Sequence, residues 1–72
     1  MSDPTFRLYI RTDNAAFGGA LGDADVIQRD AELARILRET ADRIVASGAP
    51  SHYLTIFDAN GNDVGRFALK ED

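Results

Sequence analysis

The segment Phe57–Phe67, FDANGNDVGRF, carries two signals that predict different structures. The oxygen-bearing residues that recur at every second position, as in a calcium-binding EF-hand loop, are Asp58, Asn60 and Asn62. Such a loop also needs glycine at its sixth position and glutamate at its twelfth, where this chain has Asp63 and Leu69. The dipeptide Asn-Gly between apolar residues is instead a strong hairpin signal. We therefore predict a C-terminal hairpin over residues 52–69 and no calcium site.

The register of this hairpin has two solutions. A two-residue turn at Asn60-Gly61 gathers the apolar side chains of both strands on one face, but it places Asp58 opposite Asp63. A type I turn with Gly61 in the left-handed conformation, closed by a bulge, shifts the pairing by one residue and separates the two carboxylates. We expect the bulged turn locally and the two-residue register in the core, with the choice left open at this level.

The preceding segments predict one strand and one helix. Residues 5–12, TFRLYIRT, alternate between apolar and polar side chains, which is typical of a half-buried strand. A helix is expected to begin at Asp25, with Gln28 as its capping-box partner, and to end before Gly48 and Pro50. Its apolar residues recur at spacings of three and four and form one stripe, which comprises Leu33, Ala34, Ile36, Leu37, Ala41, Ile44 and Val45.

Together these elements predict one α+β domain over residues 1–72, ordered β-α-β-β, in which the helix packs on one face of a three-stranded sheet. The expected core is Phe6, Leu8, Ile10, Leu33, Leu37, Ile44, Leu54, Ile56 and Phe67. On this basis Leu37→Ala is expected to cost about 2–5 kcal/mol.

Residues 13–25 form a long loop in the prediction, because they are rich in glycine, alanine and aspartate and lack strand alternation. Its segment FGGALGD has neither the spacing of a dinucleotide-binding loop nor the Gly-Lys-Ser/Thr ending of a P-loop. Acidic residues Asp23 and Asp25 would also repel a phosphate there. We therefore interpret the glycines as turn residues, with Phe17 and Leu21 packed on the edge of the core.

The composition excludes several classes of function. The chain has 72 residues, no cysteine and the single histidine His52, so thiolate chemistry, disulfides and a histidine-based zinc site are not expected. We predict no enzyme activity, no cofactor and no metal. The apolar runs are too short for a membrane span or a signal peptide, and a soluble, intracellular protein is expected. A net charge of −4 disfavours nonspecific binding to nucleic acid.

Two surfaces could bind a partner. The sheet face away from the helix is expected to collect aromatic and arginine side chains, as in single-stranded nucleic-acid platforms or dimer interfaces, from Arg7, Tyr9, Arg11, Tyr53, Phe57 and Arg66. The predicted topology also brings five carboxylates to one end of the domain, those of Asp13, Asp23, Asp25, Asp58 and Asp63. This acidic end would suit a basic partner.

With its segments TDNAAF, ARILRETADRI and DANGNDVG, the chain resembles small, mostly uncharacterised proteins of bacteriophages and other bacterial mobile elements. That resemblance implies a protein of the bacterial cytoplasm and, by analogy with anti-CRISPR proteins, an inhibitor of a host defence complex. The expected mechanism is docking of the acidic end on a basic, nucleic-acid-binding host protein, which then loses access to nucleic acid. The alternative is a single-stranded nucleic-acid-binding or structural accessory protein that uses the sheet face. We also expect a homodimer, because association would cover the exposed aromatics.

Overall fold

The computed structural model describes residues 3–18 and 25–71. Its elements are β1 (Thr5–Ile10), a 3-10 helix (Ala15–Phe17), α1 (Asp25–Ser47), β2 (Leu54–Phe57) and β3 (Asp63–Lys70). Strand β3 lies in the middle of the sheet and pairs antiparallel with both β1 and β2. The predicted α+β class and the β-α-β-β order are confirmed.

The turn between β2 and β3 is the bulged type. The carbonyl of Asp58 accepts a hydrogen bond from the N–H of Gly61 at 3.0 Å, and Gly61 has a φ of +81°. The N–H of Asp58 donates to the carbonyl of Asn62 at 3.0 Å, so Asp58 lies opposite Asn62 and not opposite Asp63. The turn therefore removes the clash of carboxylates that a two-residue turn would create.

A second bulge, in β3, restores within the sheet the register that a two-residue turn would give. Phe57 pairs with Asp63, whereas Ile56 pairs with Gly65, so Val64 is an extra residue on β3. Two consecutive positions, Val64 and Gly65, therefore lie on the helix side of the strand. Both predicted registers are present, one at the turn and the other in the core, as expected.

Helix α1 ends as predicted. Gly48 has a φ of +82°, and its N–H donates to the carbonyl of Ile44 at 2.7 Å, which closes the helix with a left-handed cap. At the other end Gln28 donates to the carbonyls of Ala15 and Ala16 at 3.3 and 3.4 Å, so its side chain holds the 3-10 helix. Asp25, its predicted capping partner, is the first helical residue, and its side chain lies outside the described part of the structure.

The predicted core is wrong in part, because α1 is rotated so that only part of its apolar stripe faces the sheet. Leu37 is 44% exposed, and Val45 and Phe6 are also exposed. The residues that the helix buries fully are Glu32, Ile36 and Thr40, and only Ile36 among them belongs to the stripe. Two hydrogen bonds hold α1 in this orientation about its axis. Arg43 donates to the carbonyl of Thr55, and Glu32 accepts from the N–H of Ala59. The observed core is Phe17, Ile36, Ile56, Val64 and Phe67, with Leu8, Ile10, Ala16, Ile44 and Leu54 packed against it.

Part of the predicted long loop is ordered structure that contributes to this core. The side chain of Asn14 accepts a hydrogen bond from the N–H of Ala16 at 3.1 Å and caps the 3-10 helix. Gly18 ends that helix in the left-handed conformation. Phe17 is thereby held in the centre of the core with 1% of its surface exposed. Leu21, predicted at the core edge, lies outside the described residues.

Candidate interaction surfaces

The sheet face opposite α1, here called the open sheet face, brings together the predicted aromatic and arginine residues. The register places Tyr9 and Thr55 on either side of Arg66 in one row across the sheet. Arg7 lies two residues before Tyr9 on β1, and Phe57 lies two residues after Thr55 on β2, both on the same face as Tyr9 and Thr55. Phe67 lies on the other face, where the guanidinium of Arg43 from α1 stands 4.9 Å from the centre of its ring.

Lys70 and Tyr53 extend this face at the end of β3. The ammonium nitrogen of Lys70 lies 5.6 Å from the centre of the Tyr53 ring, and it donates to the carbonyl of Ser51 at 3.1 Å. Ala68, between Arg66 and Lys70 on β3, is completely buried although it belongs to the open face. The open sheet face is therefore closed to solvent at Ala68, in the middle of its central strand.

The aromatic side chains of the open sheet face are strongly exposed. Tyr53, Tyr9 and Phe57 have 42%, 51% and 53% of their surface accessible. Partly exposed rings of this size bury a large area when they are covered, and their burial dominates interface energetics. No other part of the described structure exposes three aromatic residues on one face.

One carboxylate lies among the cations of this face. Asp63 forms an ion pair with Arg66, and Arg11 donates to the carbonyl oxygen of Asp63 at 2.7 Å. The hydrogen bond from Arg66 lowers the pKa of Asp63. Two of the predicted arginines are thus held in place by the start of β3.

The prediction of an exposed acidic end is wrong at Asp58. Its carboxylate is buried and accepts hydrogen bonds from the backbone N–H groups of Asn60 and Asn62 at 2.8 and 2.9 Å. Burial by itself would raise the pKa of Asp58, but these hydrogen bonds outweigh it, and the pKa is lowered. Asp58 therefore shapes the turn and presents no free charge to a partner.

The other acidic positions differ in their surroundings. Asp13 is exposed, whereas Asp63 belongs to the ion pair on the open sheet face. Asp23 and the side chain of Asp25 lie outside the described part of the structure. The described carboxylates thus leave Asp13 as the surface charge of the predicted acidic end.

Glu32 is a buried charge that the sequence patterns did not reveal. Its carboxylate accepts hydrogen bonds from Arg35 at 2.6 and 3.0 Å and from the N–H of Ala59 at 2.8 Å. The bond from Arg35 is the main reason that the pKa of Glu32 is lowered, against the effect of burial. Glu32 thereby joins α1 to the β2–β3 turn. Only its i,i+3 spacing to Arg35 is visible in the sequence, and that spacing is also common on solvated helix faces.

His52, the remaining candidate for chemistry, lies exposed in the connection between α1 and β2. Among the described residues, no three metal-ligating side chains converge on one point. Within that same part of the chain, α1 is too polar to cross a bilayer.

The chain was compared with family models, curated proteins and solved structures, and no match was found.

Proposed function

We propose that this protein is a binding module that docks on a protein partner through its open sheet face. The observation that carries this proposal is the exposure of Tyr9, Tyr53 and Phe57 among arginine side chains on one strand surface. Tyrosine, phenylalanine and arginine are enriched at protein interfaces, and tyrosine and arginine at the positions that carry most of the binding energy. The strands and the Asp63–Arg66 ion pair hold these groups in position, which lowers the entropy lost on binding.

The charges of the open sheet face indicate an acidic partner surface. Its cations are Arg7, Arg11, Arg66 and Lys70, and its carboxylate is that of Asp63. A complementary partner would present carboxylates around an apolar patch that covers the rings. Of the described acidic residues, Asp30, Glu39 and Asp42 lie on α1 and therefore outside the open sheet face.

A protein is favoured over single-stranded nucleic acid for two reasons. The net charge of −4 repels a polyanion at long range, even though the face itself is cationic. Arg66 and Arg11 are also engaged with Asp63, whereas nucleic-acid platforms need cations that are free to contact phosphates. Aromatic stacking would suit either partner, so nucleic acid is the rival that the experiment must exclude.

This proposal moves the docking surface away from the acidic end. Among the described residues of the acidic end, burial of Asp58 and pairing of Asp63 leave the carboxylate of Asp13 for a basic host protein to recognise. Inhibition of a host defence complex, as the resemblance implies, is one use that a bacteriophage could make of such a module. Identifying the partner tests that role together with the surface.

The experiment compares the protein with a variant of the open sheet face. Tyr9→Ser combined with Phe57→Ser removes two exposed rings without touching the core, and Val45→Ser is a matched control on the exposed side of α1. Each immobilised protein is incubated with lysate of bacteria that carry its gene, and bound proteins are quantified by mass spectrometry. A candidate partner is then purified, and its affinity is measured by calorimetry.

We expect one partner to bind the parent and the control equally and the double variant at least tenfold more weakly, because truncation of central aromatic residues typically costs about 2 kcal/mol or more. A partner that binds the double variant as well as the parent would overturn the proposal. So would tight, steeply salt-dependent binding of labelled single-stranded DNA or RNA that the double variant loses, and in that case the face binds nucleic acid.

A further inference from the structure

Helix α1 carries apolar residues on its solvent side that none of the described residues covers. Ile27 is 79% exposed, and Val45 and Leu37 are exposed as well. The side that meets the sheet contains Glu32, Ile36 and Thr40. A surface helix normally turns its apolar side to the core and its charged side to water, so this arrangement indicates a second contact for the helix.

The solvent side of α1 is symmetric in sequence about Ala34. Ile27 and Ala41 lie seven residues before and after it, close to two turns each way, and therefore fall on one line along the helix. Asp30 lies four residues before Ala34 and Arg38 four residues after it, displaced by equal angles to opposite sides of that line. A negative charge thus stands at the same distance from the centre as a positive charge.

We propose that α1 pairs antiparallel with α1 of a second copy of this chain, with the two helices crossing at Ala34. A twofold axis at that point brings Asp30 of each copy to the height of Arg38 of the other, and Ile27 to the height of Ala41. Alanine at the crossing lets the axes approach to about 8 Å, at the short end of the usual range. At that spacing both Asp30–Arg38 pairs form across the contact.

The charge pattern indicates that the molecule contacting the solvent side of α1 is a second copy of this chain. In a contact between identical surfaces each charge must meet its opposite, and the Asp30 and Arg38 positions satisfy that condition twice. Asp30 is available for it, because its ion pair with Arg29 is exposed and its side chain is 61% accessible. Two open sheet faces placed against each other would not meet this condition, because the cations of one copy would approach those of the other. The expected homodimer therefore uses the helix and leaves the sheet face free.

A contact of one helix on one helix is small, so the dimer is expected to be weak, with a dissociation constant roughly in the micromolar range or above. Its mass would rise with concentration between about 1 µM and 1 mM in light scattering or sedimentation. Because the proposed interface is separate from the open sheet face, this inference stands or falls independently of the proposed function.

The test is a charge exchange. Asp30→Arg places arginine opposite Arg38, and Arg38→Asp places aspartate opposite Asp30, so each single variant is expected to raise the dimer dissociation constant about tenfold. The double variant exchanges both charges and restores the pairs, so its dissociation constant should return to within about threefold of the parent value. Far-UV circular dichroism checks that every variant is folded, and Tyr9→Ser with Phe57→Ser is the control on the other face.

The outcomes separate clearly. Weaker dimerisation of both single variants, with a dissociation constant of the double variant close to that of the parent, supports the antiparallel contact at Ala34. A parent that stays monomeric up to 1 mM overturns it, as does a dimer that folded single variants leave unchanged. Failure of the double variant to recover also overturns it, because the two side chains then do not face each other. Loss of the dimer in the sheet-face control alone would assign self-association to the sheet.

Discussion

Replacing Phe17 with alanine is expected to remove a large part of the stability of this protein. Phe17 is among the largest side chains that the structure buries fully, and it packs in one cluster with Ile36, Ile56, Val64 and Phe67. It reaches that cluster from a 3-10 helix of three residues. Truncation would leave a cavity between the sheet and α1 that this short, capped element has little freedom to close.

The magnitude follows from the size of the side chain and of the domain. Replacing a phenylalanine buried in this way with alanine lowers the free energy of unfolding by about 3–5 kcal/mol. A chain of 72 residues has a total stability of roughly 4–11 kcal/mol at the usual value per residue. The variant should therefore melt at least ~12 °C below the parent or be largely unfolded at 25 °C. Leu37→Ala, expected from the sequence to be costly, removes a side chain that is 44% exposed and should cost about 1 kcal/mol.

Urea denaturation followed by far-UV circular dichroism at micromolar concentration measures the stability of both variants. Phe17→Leu is a third variant, in which leucine fills part of the cavity. The expected order of stability is parent, Leu37→Ala, Phe17→Leu, Phe17→Ala. If Leu37→Ala were as destabilising as Phe17→Ala, the apolar stripe of α1 would face the sheet after all. The assignment of Phe17 to the core would be refuted if Phe17→Ala cost no more than about 1 kcal/mol.

Two further predictions concern the buried carboxylates and the glycines of the β2–β3 hairpin. Glu32 and Asp58 have lowered pKa values in the folded protein, so the stability that they contribute is present above the unfolded values near pH 4 and is lost as the pH falls. The urea midpoint should therefore drop between pH 7 and pH 3, and Glu32→Gln, less stable at pH 7, should show a smaller drop; equal drops in both proteins would contradict this. Gly65→Ala should prevent folding, because its Cβ would lie 1.9 Å from the carbonyl oxygen of Tyr9, whereas Gly61→Ala meets open space and should cost only about 1–2 kcal/mol for its positive φ. Thermal melts of the two glycine variants compare them directly, and similar melting temperatures would argue against the close approach of β1 to Gly65.

Local patterns in the sequence were sufficient for the elements and their order. Alternation predicted the first strand, Gly48 marked the helix end, and Asp58 and Gly61 predicted the bulged turn, because each signal acts through residues a few positions apart. The same alternation placed Tyr9 and Phe57 on one face of the sheet before its register was known. These features depend on backbone conformation and side-chain period alone.

The sequence patterns failed where contacts link distant segments. The rotation of α1 about its axis depends on Arg43 reaching Thr55 and on Glu32 reaching Ala59, and helical periodicity contains no information on either contact. Periodicity favoured the most apolar arc of the helix for the core, and that arc includes Leu37, which is exposed.

By itself, the sequence determined the class of the fold, the positions of its strands and helix, and the composition of the open sheet face, since all three follow from spacing along the chain. The tertiary structure decided which side of the helix is buried, that Phe17 completes the core, and that Asp58 is a turn residue instead of a surface charge. The physical reason is that burial depends on the sum of packing and hydrogen bonds between segments up to tens of residues apart. No local pattern records that sum.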